Sequence, residues 1–195
     1  MPNSLPAGSM LIFNDRTPPR GHDHQLITAQ LSELVDTLQC SSVLLDFQRP
    51  DFAENEAVAK AAMDTIPCPV GVSELYAKEL DCPVFLPPVP LTMPIDEYLS
   101  PWKNREIWLE AAMIGQIITV TDQGTALDPV PLCAPTENAH FDKDLCCHYT
   151  VKLKEDRIIF TLQRTFEAME LLLQNAESHG VRLAVGLYQE LRAFS

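Results

Sequence analysis

Ser42-Val43-Leu44-Leu45-Asp46-Phe47-Gln48-Arg49-Pro50 is a short apolar run that ends in an acid, an amide and a guanidinium and is then stopped by proline. An uninterrupted apolar stretch of this length, bounded by breakers, reads as a buried strand. Its polar groups are delivered to the C-terminal end. Pro50 has no N–H for a ladder, so the strand leaves the sheet there.

Segments on both sides repeat this plan with helical pattern between them. Upstream, residues 9–15 form a β-type run, and 16–21 is the loop that leaves it. Leu26, Ile27, Gln30, Leu31, Leu34, Val35 and Leu38 then fall at helical spacing behind Asp23, a suitable N-cap. Downstream, a helix over 55–66 carries the stripe Ala57, Val58, Ala61, Ala62 and Ile66. Residues 68–73 make a strand that ends at Glu74, and a short helix runs over 76–80. A strand over 83–86, a short helix over 95–102 and a strand over 105–112 follow. Strand and helix in alternation call for a parallel sheet with right-handed crossovers.

The rhythm then breaks. Residues 117–121 read as a strand, 128–144 are proline-punctuated and irregular, and 147–153 and 157–163 form a hairpin about Lys154-Glu155-Asp156. Regular order resumes with a helix over 166–178, capped by Thr165 and ended by Gly180, and a last strand over 182–188. Barrel-type strands begin near 10, 42, 69, 83, 105, 158 and 182. A closed α/β barrel needs eight. The expectation is therefore one TIM-type (β/α) barrel domain over 1–195, lacking one N-terminal βα unit, with a β-hairpin insertion around 117–163. The competing arrangement uses the strand at 117–121 to complete the sheet.

Composition narrows the function classes. With 27 acids against 14 bases and a formal charge of −13, the chain has no basic cluster for nucleic acid or for an anionic membrane. No apolar stretch is long enough to span a bilayer, and the N-terminus lacks the pattern of a signal peptide. Six cysteines without such a signal read as reduced thiols, so a cytoplasmic location is expected. With seven glycines there is no phosphate-cradling loop, dinucleotide fingerprint or nucleophile elbow, and no cofactor is expected. His22-x-His24 lies beyond its strand end. Cys133, His140, Cys146, Cys147 and His148 match no zinc spacing, so neither group is read as a metal site. The sequence does not give the oligomeric state.

In α/β barrels the working face is the C-terminal end of the strands. Those ends carry Asn14 and Asp15; Asp46, Gln48 and Arg49; Glu74; Glu110; Gln163 and Arg164; and Tyr188, Gln189 and Glu190. Alternation turns Leu44, Asp46 and Gln48 toward the axis, and likewise Glu106, Trp108 and Glu110. Carboxylates, amides, an arginine and aromatic faces are the equipment of a sugar site. Glycosidic hydrolysis needs a proton-donating acid and a second carboxylate or substrate group. Asp46, Glu74 and Glu110 are the candidate catalytic acids; Asp46 and Glu74, on neighbouring strands, lie within about 5 Å if both point inward. Gln48, Arg49, Trp108, Gln163 and Tyr188 are the candidate ligand contacts. Against this stands a plainer reading: strand ends carry polar groups because they emerge into water, and Trp108 packs in the core.

Residues 41–48 also resemble the D-G-x-D-x-D-x-E strand of chitinase-like glycoside hydrolases, a TIM-barrel family. Asp46 matches the last aspartate, Gln48 stands at the catalytic glutamate, and Ser41 and Leu44 replace the two earlier aspartates. The resemblance implies that Asp46 orients a substrate N-acetyl group. It also implies that the acid is lost or relocated, since glutamine has no acidic proton. The expected function is a glycoside hydrolase-like protein that acts on or binds a small-molecule or oligosaccharide ligand. The alternative is a catalytically inactive barrel that binds a carbohydrate or a protein.

Overall fold

The alternation of strand and helix read from the first half of the chain is what forms. The computed structural model describes residue 6, residues 8–16 and residues 23–187, and the chain divides into two compact units. One comprises Met1–Leu86 with Asn104–Trp108, the other Pro87–Lys103 with Leu109–Ser195.

The first unit holds β1 (Met10–Asn14), α1 (His24–Leu38), β2 (Ser42–Asp46), α2 (Ala53–Thr65), β3 (Val70–Ser73), α3 (Glu74–Ala77) and β4 (Val84–Leu86). β1 pairs parallel with β2, β2 with β3 and β3 with β4. The apolar run that decided the reading is buried as expected: Val43, Leu44 and Leu45 are at most 1% exposed. Asp23 caps α1, accepting the Gln25 N–H at 2.9 Å, and Gln39 ends it in the left-handed region at φ 55°. The stripe Ile27, Leu31 and Val35 and the facing Val58, Ala59 and Ala62 are buried, and α1 packs on α2.

β5 (Ile107–Glu110) begins in this unit, where the Val84 N–H donates to the Glu106 carbonyl at 2.8 Å. Its Trp108 explains a glycine. A Cβ added to Gly71 would lie 2.3 Å from Trp108 Cε3, so β3 and the indole approach only because no side chain intervenes. Gly71→Ala is expected to cost about 2 kcal/mol by overpacking. Chemical denaturation measures this, and Trp108→Leu in the same chain should recover most of the loss. An unchanged midpoint for Gly71→Ala would refute the contact.

The second unit holds α4 (Ile95–Leu99), a 3-10 turn (Ser100–Trp102), β6 (Gly115–Thr121), β7 (Gly124–Pro129), β8 (His140–Asp142), β9 (Cys147–Lys154), β10 (Arg157–Gln163), α5 (Phe166–Ser178) and β11 (Val181–Val185). β11 neighbours β5, with the Ala111 N–H donating to the Val185 carbonyl at 2.7 Å. The hairpin expected around 117–163 is larger than expected, a five-stranded antiparallel sheet in the order β7-β6-β10-β9-β8. Residues 157–163, counted above as a barrel strand, belong to it and pair antiparallel with β6 and β9. The reason is local: a tight turn to β9 enforces antiparallel pairing. Thr165 also differs from expectation. Its hydroxyl donates to Glu167 Oε2 at 3.0 Å and makes no cap bond.

The chain thus has a mixed α/β fold with a parallel sheet of half-barrel type. Its described residues supply six strands to that sheet where a complete barrel has eight. No described helix is long and apolar enough to cross a membrane.

Candidate functional site

Parallel pairing places Asn14 directly beside Asp46, so the C-terminal ends of β1 and β2 open together. There a cleft of about 320 Å3 is lined by Asn14, Asp15, Arg16, Asp46, Gln48 and Arg49. Three residues singled out from the sequence, Asp46, Gln48 and Arg49, meet in it.

Asp15 organises the cleft. It is 3% exposed, and both its oxygens are engaged. It accepts the Gln48 N–H at 3.1 and 3.2 Å, the Arg49 N–H at 2.9 Å and the Asn55 side-chain amide at 2.9 Å. A buried carboxylate holding that many donors is a strong local anchor. The loop after β2 is pinned from its other side by Tyr76, whose hydroxyl donates to the Arg49 carbonyl. The same hydroxyl accepts from Asn55 Nδ2 at 3.4 Å. Phe47 packs edge-on against Phe13 and Tyr76, each at 6.0 Å. At the end of the β2–β3 pair, Ser73 Oγ accepts the Phe47 N–H at 2.7 Å and donates to the Leu45 carbonyl at 3.0 Å.

On this anchored loop the cleft-lining groups are set. Gln48 Nε2 donates to Asp46 Oδ1, so acid and amide act as a pair. The Arg49 guanidinium lies 4.8 Å over the Phe52 ring, a cation–π contact that fixes its direction.

The other sequence candidates lie elsewhere. Glu74 opens α3 directly after β3, is half-buried and is not among the residues lining the cleft. Trp108 is 2% exposed, with its Nε1 donating to Glu106 Oε1 at 2.9 Å and its ring against Gly71. Glu110 ends β5 within the second unit. Gln163 ends β10 in that unit, 5% exposed, and donates to Cys133 Sγ at 3.0 Å. Tyr188 and His22 lie outside the described residues. Among the described residues no three His, Cys, Asp or Glu side chains gather around one metal-sized point.

The second unit buries a cation of its own. Arg164 is fully covered and donates to the carbonyls of Val89 at 2.6 Å and of Leu145 and Cys146 at 3.3 Å. Burial pushes its guanidinium below the usual value, and burial pushes the neighbouring Cys147 thiol up to about 11. The arginine is therefore a tie between three loops, and the thiol is held neutral.

Sequence reasoning missed Asn55 and Tyr76 and gave Asp15 little weight. The available signal was the pair Asn14-Asp15 at the end of a strand that must lie beside the one ending in Asp46.

No protein-family model matches the chain, and no curated protein matches it in sequence. The fold itself is similar to those of solved structures described as a glycosylase and a spore cortex-lytic enzyme. The chain is similar to YdhD of Bacillus subtilis, described as a sporulation-specific glycosylase. Identity is 10% over 91% of this chain and 79% of that one, with a TM-score of 0.58. It is also similar to the spore cortex-lytic enzyme SleL of Bacillus megaterium QM B1551, at 8% identity, 91% and 55% coverage and a TM-score of 0.51. SleL of Bacillus cereus gives 9% identity, the same coverages and a TM-score of 0.50. The chain thus spans 55% of the length of each SleL chain.

Proposed function

We propose that this chain is a glycoside hydrolase-like domain that binds a carbohydrate in the cleft at the ends of β1 and β2. The observation that carries this reading is the Asp46–Gln48 pair. In the strand that residues 41–48 resemble, a proton-donating acid stands at the position of Gln48, and here an amide donates to the neighbouring aspartate. An amide can hold a hydroxyl or an N-acetyl group but supplies no proton to a leaving oxygen. The anchored loop supports binding further, because groups already fixed lose little freedom when a ligand arrives. The fold likeness to glycosylase and cortex-lytic domains is consistent with a saccharide ligand.

Calorimetric titration with N-acetylglucosamine oligomers is expected to show saturable binding without release of reducing ends. Asp46→Ala should weaken that binding by about tenfold, the worth of one charge-assisted hydrogen bond. Steady release of reducing ends that vanishes in Asp46→Asn and in Glu74→Gln would instead establish a hydrolase, with Asp46 and Glu74 as its acids. Loss of neither binding nor turnover in Asp46→Ala would move the site away from this cleft.

A further inference from the structure

The cleft is lined by Arg16 and Arg49 together with Asp15 and Asp46, and among the described residues neither arginine forms an ion pair with either acid. Among the described residues the ion pairs are Asp23 with His24, Glu56 with Lys60 and Asp156 with Arg157, and neither Arg16 nor Arg49 belongs to one. In a chain with 27 acids and 14 bases, acidic partners are in surplus. Two arginines lining one cleft without an ion pair are therefore a selective arrangement.

The acids beside them are already engaged. Asp15 is filled by the Gln48 and Arg49 N–H groups and the Asn55 amide, and Asp46 by the amide of Gln48. Neutral donors occupy the carboxylates, and the two arginines line the same cleft. Arg49 is preset for this work, with its N–H on Asp15, its carbonyl on Tyr76 and its guanidinium over Phe52. Arg16 is held at the end of β1 by its N–H donating to Asn14 Oδ1 at 3.2 Å. Both side chains are exposed and open to a ligand.

Resting on the carbohydrate reading above, we infer that the preferred saccharide carries a carboxylate, which Arg16 and Arg49 hold. The planar guanidinium fork matches a carboxylate in two parallel hydrogen bonds, and two such forks define one acceptor position. A monoanion fits better than a phosphate. Asp46 lines the same cleft, a net charge of −13 repels multiple charges, and the consecutive Gln48 and Arg49 N–H groups are already taken by Asp15. The volume, about 320 Å3, suits a short saccharide.

The test is calorimetry on the full chain with two probes of equal length: di-N-acetylchitobiose, and the disaccharide of glucuronic acid and N-acetylglucosamine. The acidic probe is expected to bind about tenfold tighter at low salt. That preference should shrink as salt rises from roughly 20 mM to roughly 200 mM. Arg16→Gln and Arg49→Gln should each lower the ratio of the two affinities, and together bring it near one. Equal affinities in the unaltered chain, or a preference that survives the double substitution, would overturn the acidic-ligand inference and leave the carbohydrate reading standing. Failure of both probes to bind would overturn both.

Discussion

Asp15→Ala is expected to destabilise the first unit by about 3 kcal/mol and to abolish saccharide binding at the cleft. The estimate rests on three donors, the Gln48 and Arg49 N–H groups and the Asn55 amide, that lose their acceptor at once. Each orphaned buried donor costs about 1–3 kcal/mol, and the lower end applies because Gln48 and Arg49 sit at the surface, where water replaces part of the loss. Asp15→Asn keeps one acceptor oxygen but turns a second donor toward the amides, so about half the loss should remain. Chemical denaturation gives the stability, and amide hydrogen exchange gives the local effect: the Gln48 and Arg49 protons should exchange far faster in both variants. Unchanged exchange at those two positions would show that Asp15 is not the anchor.

Arg164→Met should be the other large effect, about 4 kcal/mol. Buried ions often gain nothing over a well-packed apolar replacement, because desolvation consumes the attraction. Here the partners are backbone carbonyls of Val89, Leu145 and Cys146, which cannot be replaced along with the arginine. Methionine fills the space and leaves three acceptors dry. Arg164→Lys should recover part of the loss, since one ammonium cannot span three carbonyls in fork geometry. The measurement is denaturant unfolding followed at an antiparallel-sheet probe. A methionine variant as stable as the parent would mean that water, not the guanidinium, meets those carbonyls.

The legible parts of this chain were those with a one-dimensional signature. Val43, Leu44 and Leu45 announce a buried strand because no polar residue interrupts them, and Leu31 and Val35 announce a helix face by spacing alone. Asp46, Gln48 and Arg49 were found because a strand end places them at the mouth, and the cleft does collect them. The misjudged strand, 157–163, failed on partnership: its residue types suit either sheet, and only the short turn to β9 decides for antiparallel pairing. Asp15 was listed at its strand end but its role as an anchor was not legible, for a different reason. Its donors come from residues 33 to 40 positions away, so its burial is a property of the assembled loop and not of its own neighbourhood. Trp108 was assigned a direction by alternation, but nothing in its own strand reveals that a missing Cβ at Gly71 makes room for the ring.

Ser73 carries a consequence for how the ends of β2 and β3 can part. Because its hydroxyl both receives the Phe47 N–H and reaches the Leu45 carbonyl, a side chain stands where a neighbouring peptide would otherwise sit. The two strands are therefore free to diverge at that point with their hydrogen bonding intact. The separation of β2 and β3 beyond their last paired residues is set by one small side chain that does not line the cleft. A single replacement there, by a residue that keeps a donor and an acceptor but differs in size, would change that separation while leaving every cleft-lining residue unaltered.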